Sequence, residues 1–411
     1  MSIKKLFLVL ALVCSVNLAW CGIACGKTAG ITNDVLYIYE PALAAATKEK
    51  HVRKADIAIT AASAVLMDAD TGQVLYAKNA SKPRPIASTT KIMTALVAIQ
   101  CGNLKGTATV SKHAACVPGS SVYLQSGEHL TLEELLYGAL MHSGNDACVT
   151  IAEHVAGNEK NFVNMMNQAA RLLGADNTNF SNTNGLPDEK HLSTAYDLAL
   201  ITRYALANPV FHNIVSTKNH LISGPGGRRQ LSNTNQMLWG YQGADGVKTG
   251  TTSAAGKCLV SSACRDGRRL IAVILHSGDR YADSSSLMDY GFENFNKIAA
   301  VRAGDIVSSI KIQDGNTPVA PLTVQRNLYV TVPRNSGEVI EREIFSGDML
   351  AAPVQKNFPA GRIRLWASGE LVAETSLVTG KNVDRLPYYR IIWIRIKNPA
   401  ALIGGHRDTL R

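Results

Sequence analysis

The chain has 411 residues, which is long enough for two or three globular domains. Hydrophobic residues make up 46% and charged residues 18%, so the body of the chain should fold and not stay disordered. The net charge, 42 − 32 = +10, suits an anionic surface such as membrane lipid or a wall polymer.

Residues 1–25 have the layout of an export signal. Two lysines near the start precede an apolar run at 6–13, and small residues follow it. An uncleaved membrane helix is an alternative, and GIAC at 22–25 weakly resembles a lipoprotein cleavage box that would make Cys25 a lipid anchor. An exported chain with no basic stripe interleaved with aromatic residues is not expected to bind nucleic acid.

The eight cysteines fall at 14, 21, 25, 101, 116, 148, 258 and 264. The last five lie beyond the predicted signal, and an odd number cannot pair completely. No two of them show CxxC spacing. We interpret them mostly as small buried hydrophobic residues and leave a disulfide open.

The first half of the chain contains a hairpin and then helices. Residues 26–57 form a polar approach segment. In the stretch 63–78, the residues on both sides of a turn at 68–72 follow the alternating pattern of strands, which predicts a β-hairpin. Helical periodicity then predicts helices at 88–99, 131–142, 145–156, 159–173 and 194–207.

Two adjoining stretches near residue 265 have the composition of strands. LIAVILHS, 270–277, is apolar enough for the middle of a sheet, and CLVSSACRDGRRL, 258–270, supplies a neighbour through a tight turn. Strands come first, helices follow and strands return. This order predicts an α/β (α+β) domain at 58–300, with an antiparallel sheet flanked by helices and a helical subdomain.

Helical periodicity disappears beyond residue 300. Short strands separated by turn residues predict a separate all-β domain at 301–384. The tail at 385–411 mixes tyrosine, tryptophan and basic residues with apolar ones, which suits a membrane interface, although its apolar run is too short to span a bilayer. A last strand of the all-β domain is the alternative for IIWIRIK, 391–397.

Three short motifs carry the candidate chemistry: STTK at 88–91, SGN at 143–145 and KTG at 248–250. Ser88 and Lys91 are three residues apart in a predicted helix and so share one face. Burial at the apolar end of this helix should lower the pKa of Lys91 and let it act as the base for a serine nucleophile. An ordinary helix N-cap is the alternative for Ser88.

The other two motifs supply further polar groups. The Ser143 hydroxyl can relay a proton to a leaving amine, and Asn145 offers an amide to a substrate or to the lysine. The alternative is that Ser143 caps the following helix. KTG is expected on a strand, where Lys248 and Thr249 can receive a carboxylate and Gly250 permits close approach of a ligand. A basic surface strand is the alternative there.

The combination of motifs is more specific than any one of them. S-x-x-K, S-D-N and K-T-G in this order are the signature of class A β-lactamases and penicillin-binding proteins, and here glycine replaces the middle aspartate. With stretches such as SAVLMDADTGQVLYAKNA, LLYGALMHSGNDA and ADGVKTGTTSAAG, residues 60–295 resemble the low-molecular-mass penicillin-binding proteins that are serine-type D-alanyl-D-alanine carboxypeptidases. The resemblance implies a β-lactamase/transpeptidase-like first domain, and the all-β domain with its basic amphipathic tail matches the usual C-terminal half.

The resemblance implies catalytic roles for three side chains. Ser88 would be the acylated nucleophile, Lys91 its base and Ser143 the proton relay. Asn145 would contact both the substrate and the lysine.

It also implies the parts of a substrate-binding strand. Lys248 and Thr249 would hold the terminal carboxylate beside Gly250, and the backbone N–H groups of Thr251 and of the nucleophile would form the oxyanion hole. Threonine at 251 replaces the aromatic residue or histidine of some relatives. Arg280 is a weaker candidate for a nearby substrate contact.

The implied reaction is acyl transfer. The serine attacks the bond between two D-alanines of a peptidoglycan stem, the last D-alanine leaves, and water releases the shortened stem. β-Lactams would mimic that terminus and trap the acyl-enzyme. The implied location is the extracytoplasmic face of the cytoplasmic membrane, or the cell wall space, of a bacterium, with the membrane surface as a further partner.

The resemblance implies no cofactor and no metal. The ten histidines include no HxxxH or HxH pair. We therefore interpret His142, His154 and His191 as surface or loop residues.

Two other functions stay open. A class A-like β-lactamase needs a glutamate to activate the deacylating water. No glutamate occurs at 160–188. Glu189 begins the sequence EKHLS before the predicted helix, and this sequence has serine at the position where the corresponding β-lactamase loop has asparagine. A non-catalytic penicillin-binding wall protein or sensor would have lost the serine or the lysine, whereas this sequence contains all the residues of the three motifs.

Overall fold

The computed structural model describes residues 57–224, 227–334 and 336–397. The predicted export signal, Cys25 and nearly all of the approach segment lie outside the described residues. The chain divides into two compact units, one ending at Asn294 and the other beginning at Phe295. The sequence places this boundary after residue 300. The difference is a single strand, Phe295–Val301, which pairs within the second unit.

The first unit combines strands and helices. Its strands are β1 (Ser63–Asp68), β2 (Val74–Lys78), β3 (Thr107–Thr109), β4 (His129–Thr131), β5 (Asn219–Gly224), β6 (Gly227–Ser232), β7 (Ala244–Thr252), β8 (Gly256–Arg265) and β9 (Arg268–Ser277). Its helical elements are a 3-10 turn (Ala87–Thr90), α1 (Lys91–Cys101), α2 (Lys112–Ala115), α3 (Leu132–Met141), α4 (Asn145–Ala156), α5 (Glu159–Leu172), α6 (Ala195–Leu206), α7 (Pro209–Ser216), α8 (Met237–Gly240) and α9 (Arg280–Asn294).

The central sheet has the strand order β2-β1-β9-β8-β7, and all its pairings are antiparallel. β1 pairs with β9, so the sheet joins the two ends of the unit, as predicted. Val65 and Val273 belong to the core shared with the helices between the two ends, whereas Leu66 and Leu270 approach Gly291 of α9 on the opposite face. Both faces of the central strands are therefore covered, which explains their continuous apolar sequences.

α1 is the central helix of the helical region. Its residues from Lys91 to Ala98 are all buried, and it contacts α3, α4, α5 and α6. A helix with apolar residues on every side needs such an enclosed position, and its two buried polar residues, Lys91 and Thr94, have hydrogen-bond partners there. The predicted helices at 131–142, 145–156, 159–173 and 194–207 are confirmed to within a residue at each end, whereas the one predicted at 88–99 begins as a 3-10 turn.

In its described residues, the second unit consists of strands and one helix near the C-terminus, which confirms the predicted all-β domain. Its strands are β10 (Phe295–Val301), β11 (Ile306–Gln313), β12 (Val319–Val324), β13 (Leu328–Pro333), β14 (Ile340–Ser346), β15 (Met349–Ala351), β16 (Pro359–Ala367) and β17 (Glu370–Thr379). A six-stranded sheet has the order β14-β16-β17-β12-β11-β15, and β10 pairs with β13. Alternating residues such as Ile363 and Leu365 fill its own core.

The tail contains a helix, α10 (Tyr388–Lys397), so the alternative of a last strand is wrong. Pro387 supplies the carbonyl that accepts hydrogen bonds from Arg390 and Ile391 in the first turn. Tyr388 is 73% exposed and Trp393 58%. Within the described part of the chain, no helix has the length and apolar character needed to cross a membrane.

Candidate active site

The STTK segment forms the 3-10 turn that leads into α1. Ala87 has φ +47°, in the left-handed region that alanine seldom adopts. Thr90 occupies the N-cap of α1, but its hydroxyl points backwards and donates to the carbonyl of Ala87 at 2.8 Å. Ser88 is therefore not the helix cap, and that alternative is wrong. The turn holds its half-buried hydroxyl ahead of the helix.

Lys91 is fully buried and bonded only to neutral oxygen atoms. Its Nζ lies 2.9 Å from Ser88 Oγ, 2.8 Å from Asn145 Oδ1 and 2.8 Å from the backbone oxygen of Asn184. Burial lowers the pKa of Lys91 from 10.5 to about 8. A neutral amine can donate to both asparagines and accept the Ser88 proton with its lone pair. The predicted pairing of the serine with a lysine of lowered pKa is thus present in the geometry.

Two neighbours could keep Lys91 protonated, but neither outweighs its burial. Burial raises the pKa of the Cys148 thiol to about 12, so this group carries no charge at neutral pH. The Asp146 carboxylate raises the pKa of Lys91, yet it also accepts hydrogen bonds from the backbone N–H groups of Val122 and Leu124 and from the hydroxyl of Ser121. Asp146 therefore fixes the loop at 121–124 and only partly opposes the fall in the lysine pKa.

The SGN motif lies at the beginning of α4. The N-cap of this helix is Gly144, so the alternative in which Ser143 caps it is wrong. Ser143 has φ +66° and is 7% exposed. Asn145 donates from Nδ2 to the backbone oxygen of Pro118 at 2.6 Å, which directs its Oδ1 to Lys91.

The KTG motif lies on β7, an edge strand that runs against the 3-10 turn. A Cβ atom added to Gly250 would lie 2.9 Å from the backbone nitrogen of Ser88, so only glycine allows this close approach. Lys248 is 1% exposed, and burial, with the charge of Lys91 as a second cause, lowers its pKa well below 10.5. A basic surface strand is therefore the wrong interpretation, because the first lysine of the motif is inside.

Side chains from outside the three motifs brace this strand. Arg280 donates from Nη1 to the backbone oxygen of Gly250 at 3.0 Å and to the hydroxyl of Thr251 at 2.9 Å. The hydroxyls of Thr234 and Thr249 are 2.8 Å apart. Arg280, predicted as a possible substrate contact, thus lies beside the strand that carries the predicted oxyanion donor.

The Asn-rich loop at 176–191 contributes more than the sequence indicates. The backbone oxygen of Asn184 binds Lys91, and a Cβ atom on Gly185 would lie 1.9 Å from the carbonyl oxygen of Ala87. His191 lies in this loop, which fits the prediction of a surface or loop residue, but it is only 3% exposed and is therefore not a surface residue. A backbone carbonyl leaves no signature in a sequence, but the clustering of asparagine and glycine marks a loop with special backbone geometry.

A cavity of about 280 Å³ adjoins this turn. Its walls include Ile86, Ala87, Leu186 and Thr252, with Glu189 among the polar residues. In the described part of the chain, no three His, Cys, Asp or Glu side chains are grouped as metal ligands. The described cysteines, at 101, 116, 148, 258 and 264, are free thiols.

Comparison with known proteins gives matches along both units. The family described as D-alanyl-D-alanine carboxypeptidase matches residues 48–278, and the C-terminal domain of penicillin-binding protein 5 matches residues 295–385. D-alanyl-D-alanine carboxypeptidase DacF of Bacillus subtilis is 34% identical over 82% of this chain and 90% of its own length. DacA of Escherichia coli K12 is 33% identical over 78% of this chain and 83% of its own length.

Solved structures agree with these sequence matches. Penicillin-binding protein 5 from Haemophilus influenzae has a TM-score of 0.70 and 29% identity, covering 80% of this chain and 99% of its own. A peptidoglycan synthesis regulatory factor, PBP3, from Streptococcus pneumoniae has a TM-score of 0.71 and 27% identity, covering 80% and 100%. The chain therefore belongs to the D-alanyl-D-alanine carboxypeptidase family, the penicillin-binding serine peptidases of low molecular mass.

Proposed function

We propose that this protein removes the terminal D-alanine from peptidoglycan stem peptides through an acyl-enzyme on Ser88. The observation that carries the proposal is the 2.9 Å contact between Ser88 Oγ and the fully buried Nζ of Lys91. A pKa of about 8 leaves part of Lys91 neutral at physiological pH, and the neutral amine is a base in direct contact with the hydroxyl.

Acylation begins when Lys91 takes the hydroxyl proton of Ser88. The serine oxygen attacks the carbonyl carbon between the two D-alanines, and the developing oxyanion accepts hydrogen bonds from the N–H groups of Ser88 and Thr251. The C–N bond then breaks. Ser143 relays the proton from Lys91 to the nitrogen of the departing D-alanine, and water later attacks the ester to release the shortened stem.

The KTG strand binds the end of the substrate. Lys248 and Thr249 receive the terminal carboxylate, and Gly250 brings the strand close enough to the nucleophile for both to act on one peptide bond. A carboxylate raises the pKa of a buried lysine, so substrate binding opposes the effect of burial and favours the protonated form of Lys248. Asn145 accepts a hydrogen bond from Lys91, and in the proposed complex it also contacts the substrate. A β-lactam, which mimics the D-Ala-D-Ala end, acylates the same serine.

A release assay tests the proposal. Purified protein with N-acetylated Lys-D-Ala-D-Ala should release D-alanine, and fluorescent penicillin should label Ser88. Ser88→Ala should lose both activities, and labelling that persists in this variant would refute the nucleophile assignment.

The same assay distinguishes the two alternative functions. Labelling without any release of D-alanine would favour a binding protein or sensor. Rapid hydrolysis of penicillin would favour a β-lactamase. Because Glu189 is exposed at the cavity beside Ala87, Glu189→Gln is the matched variant: it would abolish hydrolysis by a β-lactamase and leave carboxypeptidase turnover unchanged.

We also propose that the protein is exported and acts at the outer face of the cytoplasmic membrane. The layout of residues 1–25 supports export, and α10 supports contact with lipid, since exposed aromatic side chains stand beside basic ones. Lys397 lies 3.9 Å from the ring centroid of Trp393. Localisation with and without residues 386–411 tests the anchor, and an unchanged membrane fraction would refute it.

A further inference from the structure

His191 is a buried polar group that the proposed mechanism does not use. It ends the Asn-rich loop and is 3% exposed. Its ring packs edge-on against Phe180, with the centroids 5.7 Å apart. Both of its nitrogens have partners, one in its own loop and one at the nucleophile turn. A histidine enclosed in this way is fixed in position and in tautomer.

The hydrogen bonds determine that tautomer. The backbone N–H of Ser181 donates to Nδ1 at 3.0 Å, so Nδ1 carries the lone pair. The ring proton is therefore on Nε2, which lies 2.7 Å from Thr90 Oγ1 and donates to it. The Thr90 hydroxyl in turn donates a hydrogen bond to the carbonyl oxygen of Ala87. One directed chain thus runs from the loop through His191 and Thr90 to the residue before the nucleophile.

Ala87 is the residue whose conformation needs support. Its φ of +47° is unfavourable for alanine, and its torsion angles set the direction of the Ser88 N–H and side chain. Gly185 packs against the same carbonyl oxygen, close enough that no Cβ atom would fit. The loop therefore contacts the Ala87 carbonyl by packing and reaches it by hydrogen bonding through Thr90.

We propose that His191 is a positioning residue for the nucleophile: its Nε2–H, acting through Thr90, holds Ala87 in the left-handed conformation that aims Ser88 at Lys91. The inference rests on the proposed role of Ser88. Burial lowers the pKa of His191 to about 4, with Asp188 as the charge that opposes the shift, so the donor tautomer persists across the working pH range.

Two substitutions separate this role from simple packing. Gln places its amide nitrogen near the position of Nε2 and keeps the donor to Thr90, whereas Asn mimics Nδ1 and keeps only the acceptor for Ser181 N–H. Each variant loses one hydrogen bond of the histidine. We expect His191→Gln to acylate within about threefold of wild type and His191→Asn about tenfold or more below it, with unchanged KM.

A glycine at 87 supplies the rescue test. Glycine adopts the left-handed region without support, so Ala87→Gly should reduce the penalty of His191→Asn to about threefold or less. The rate of Ser88 labelling by fluorescent penicillin is the readout, with thermal unfolding recorded for each variant. Equal losses in the Gln and Asn variants, or no rescue by glycine, would overturn the proposal.

If His191→Asn does not fold, the comparison moves to Thr90. Thr90→Ser keeps the hydroxyl and should acylate normally, whereas Thr90→Val should reproduce the tenfold loss. Equal rates in these two variants would also overturn the proposal. Failure of the nucleophile assignment looks different, because wild type and Ser88→Ala would then be labelled alike.

Discussion

The lowered pKa of Lys91 predicts how acylation depends on pH. The base must be neutral to accept the Ser88 proton, so the rate should follow the deprotonated fraction and rise with pH. With a pKa of about 8, that fraction is about 0.1 at pH 7 and about 0.9 at pH 9. The acylation rate should therefore rise about tenfold over these two pH units and level off above them. An ordinary lysine, at 10.5, would give a rise of about a hundredfold with no plateau in this range.

The assay is single-turnover labelling by fluorescent penicillin between pH 6 and 9.5, at constant ionic strength. Lys91→Arg is the matched control, because a guanidinium keeps its proton throughout this range. Its labelling should be slower by roughly 10²–10⁴ and should not change with pH. A flat wild-type profile, or a rate still rising tenfold per unit at pH 9.5, would refute Lys91 as the base.

Three further predictions follow from the geometry. Gly250→Ala brings a methyl group to 2.9 Å from the Ser88 nitrogen and should slow labelling by roughly 10²–10³, the loss typical of an oxyanion donor. Binding of a D-Ala-D-Ala peptide to Ser88→Ala should raise the pKa of Lys248 and take up protons at pH values between its free and bound pKa, detected by calorimetry at several pH values in buffers of different ionisation enthalpy. Arg268→Met should lower the free energy of unfolding in urea by about 3–5 kcal/mol. It removes the guanidinium whose Nε lies 2.8 Å from Oδ2 of the fully buried Asp68, and so breaks a buried ion pair.

Each of these predictions has a matched control, either a second variant or a second ligand. Gly240→Ala should label normally, since a Cβ atom there meets nothing within 4 Å. An analogue that ends in an amide should bind without proton uptake, and equal uptake by both ligands would contradict the role of the buried lysine. Arg265→Met removes a surface ion pair with Asp289 and should cost about 0–1 kcal/mol. Equal destabilisation by the two arginine variants would contradict the burial argument.

Local pattern was enough to predict most of the elements. Helical periodicity and the apolar run at 270–277 depend on neighbouring residues alone, and the order of strands and helices limits how one sheet can be completed. The same local information left IIWIRIK ambiguous. Its apolar residues fit either a half-buried strand or a helix, and the choice depends on whether a strand partner exists and on the helical start at Pro387.

The sequence was enough to predict which motif residues form the site, but it did not predict which loop residues contact them. Ser88 and Lys91 lie on α1 or beside it, so their spacing alone places them together. The carbonyl of Asn184 and the ring of His191 reach the turn from a loop about a hundred residues away, and no pattern of side chains encodes a backbone oxygen. The 3-10 turn also escaped prediction, because helical periodicity cannot show where one helical hydrogen-bonding pattern gives way to another.

Lys91 and Ser88 are only three residues apart in the sequence, but the pKa of Lys91 depends on residues from distant parts of the chain. Asn145 from α4 and Asn184 from the loop accept hydrogen bonds from the Lys91 amine without adding a negative charge. A carboxylate in place of the Asn145 amide would hold the lysine protonated. Asn145→Asp should accordingly raise the pKa of Lys91 and move the rise in labelling rate to higher pH. A profile left at its wild-type position would mean that burial alone sets the pKa of the base.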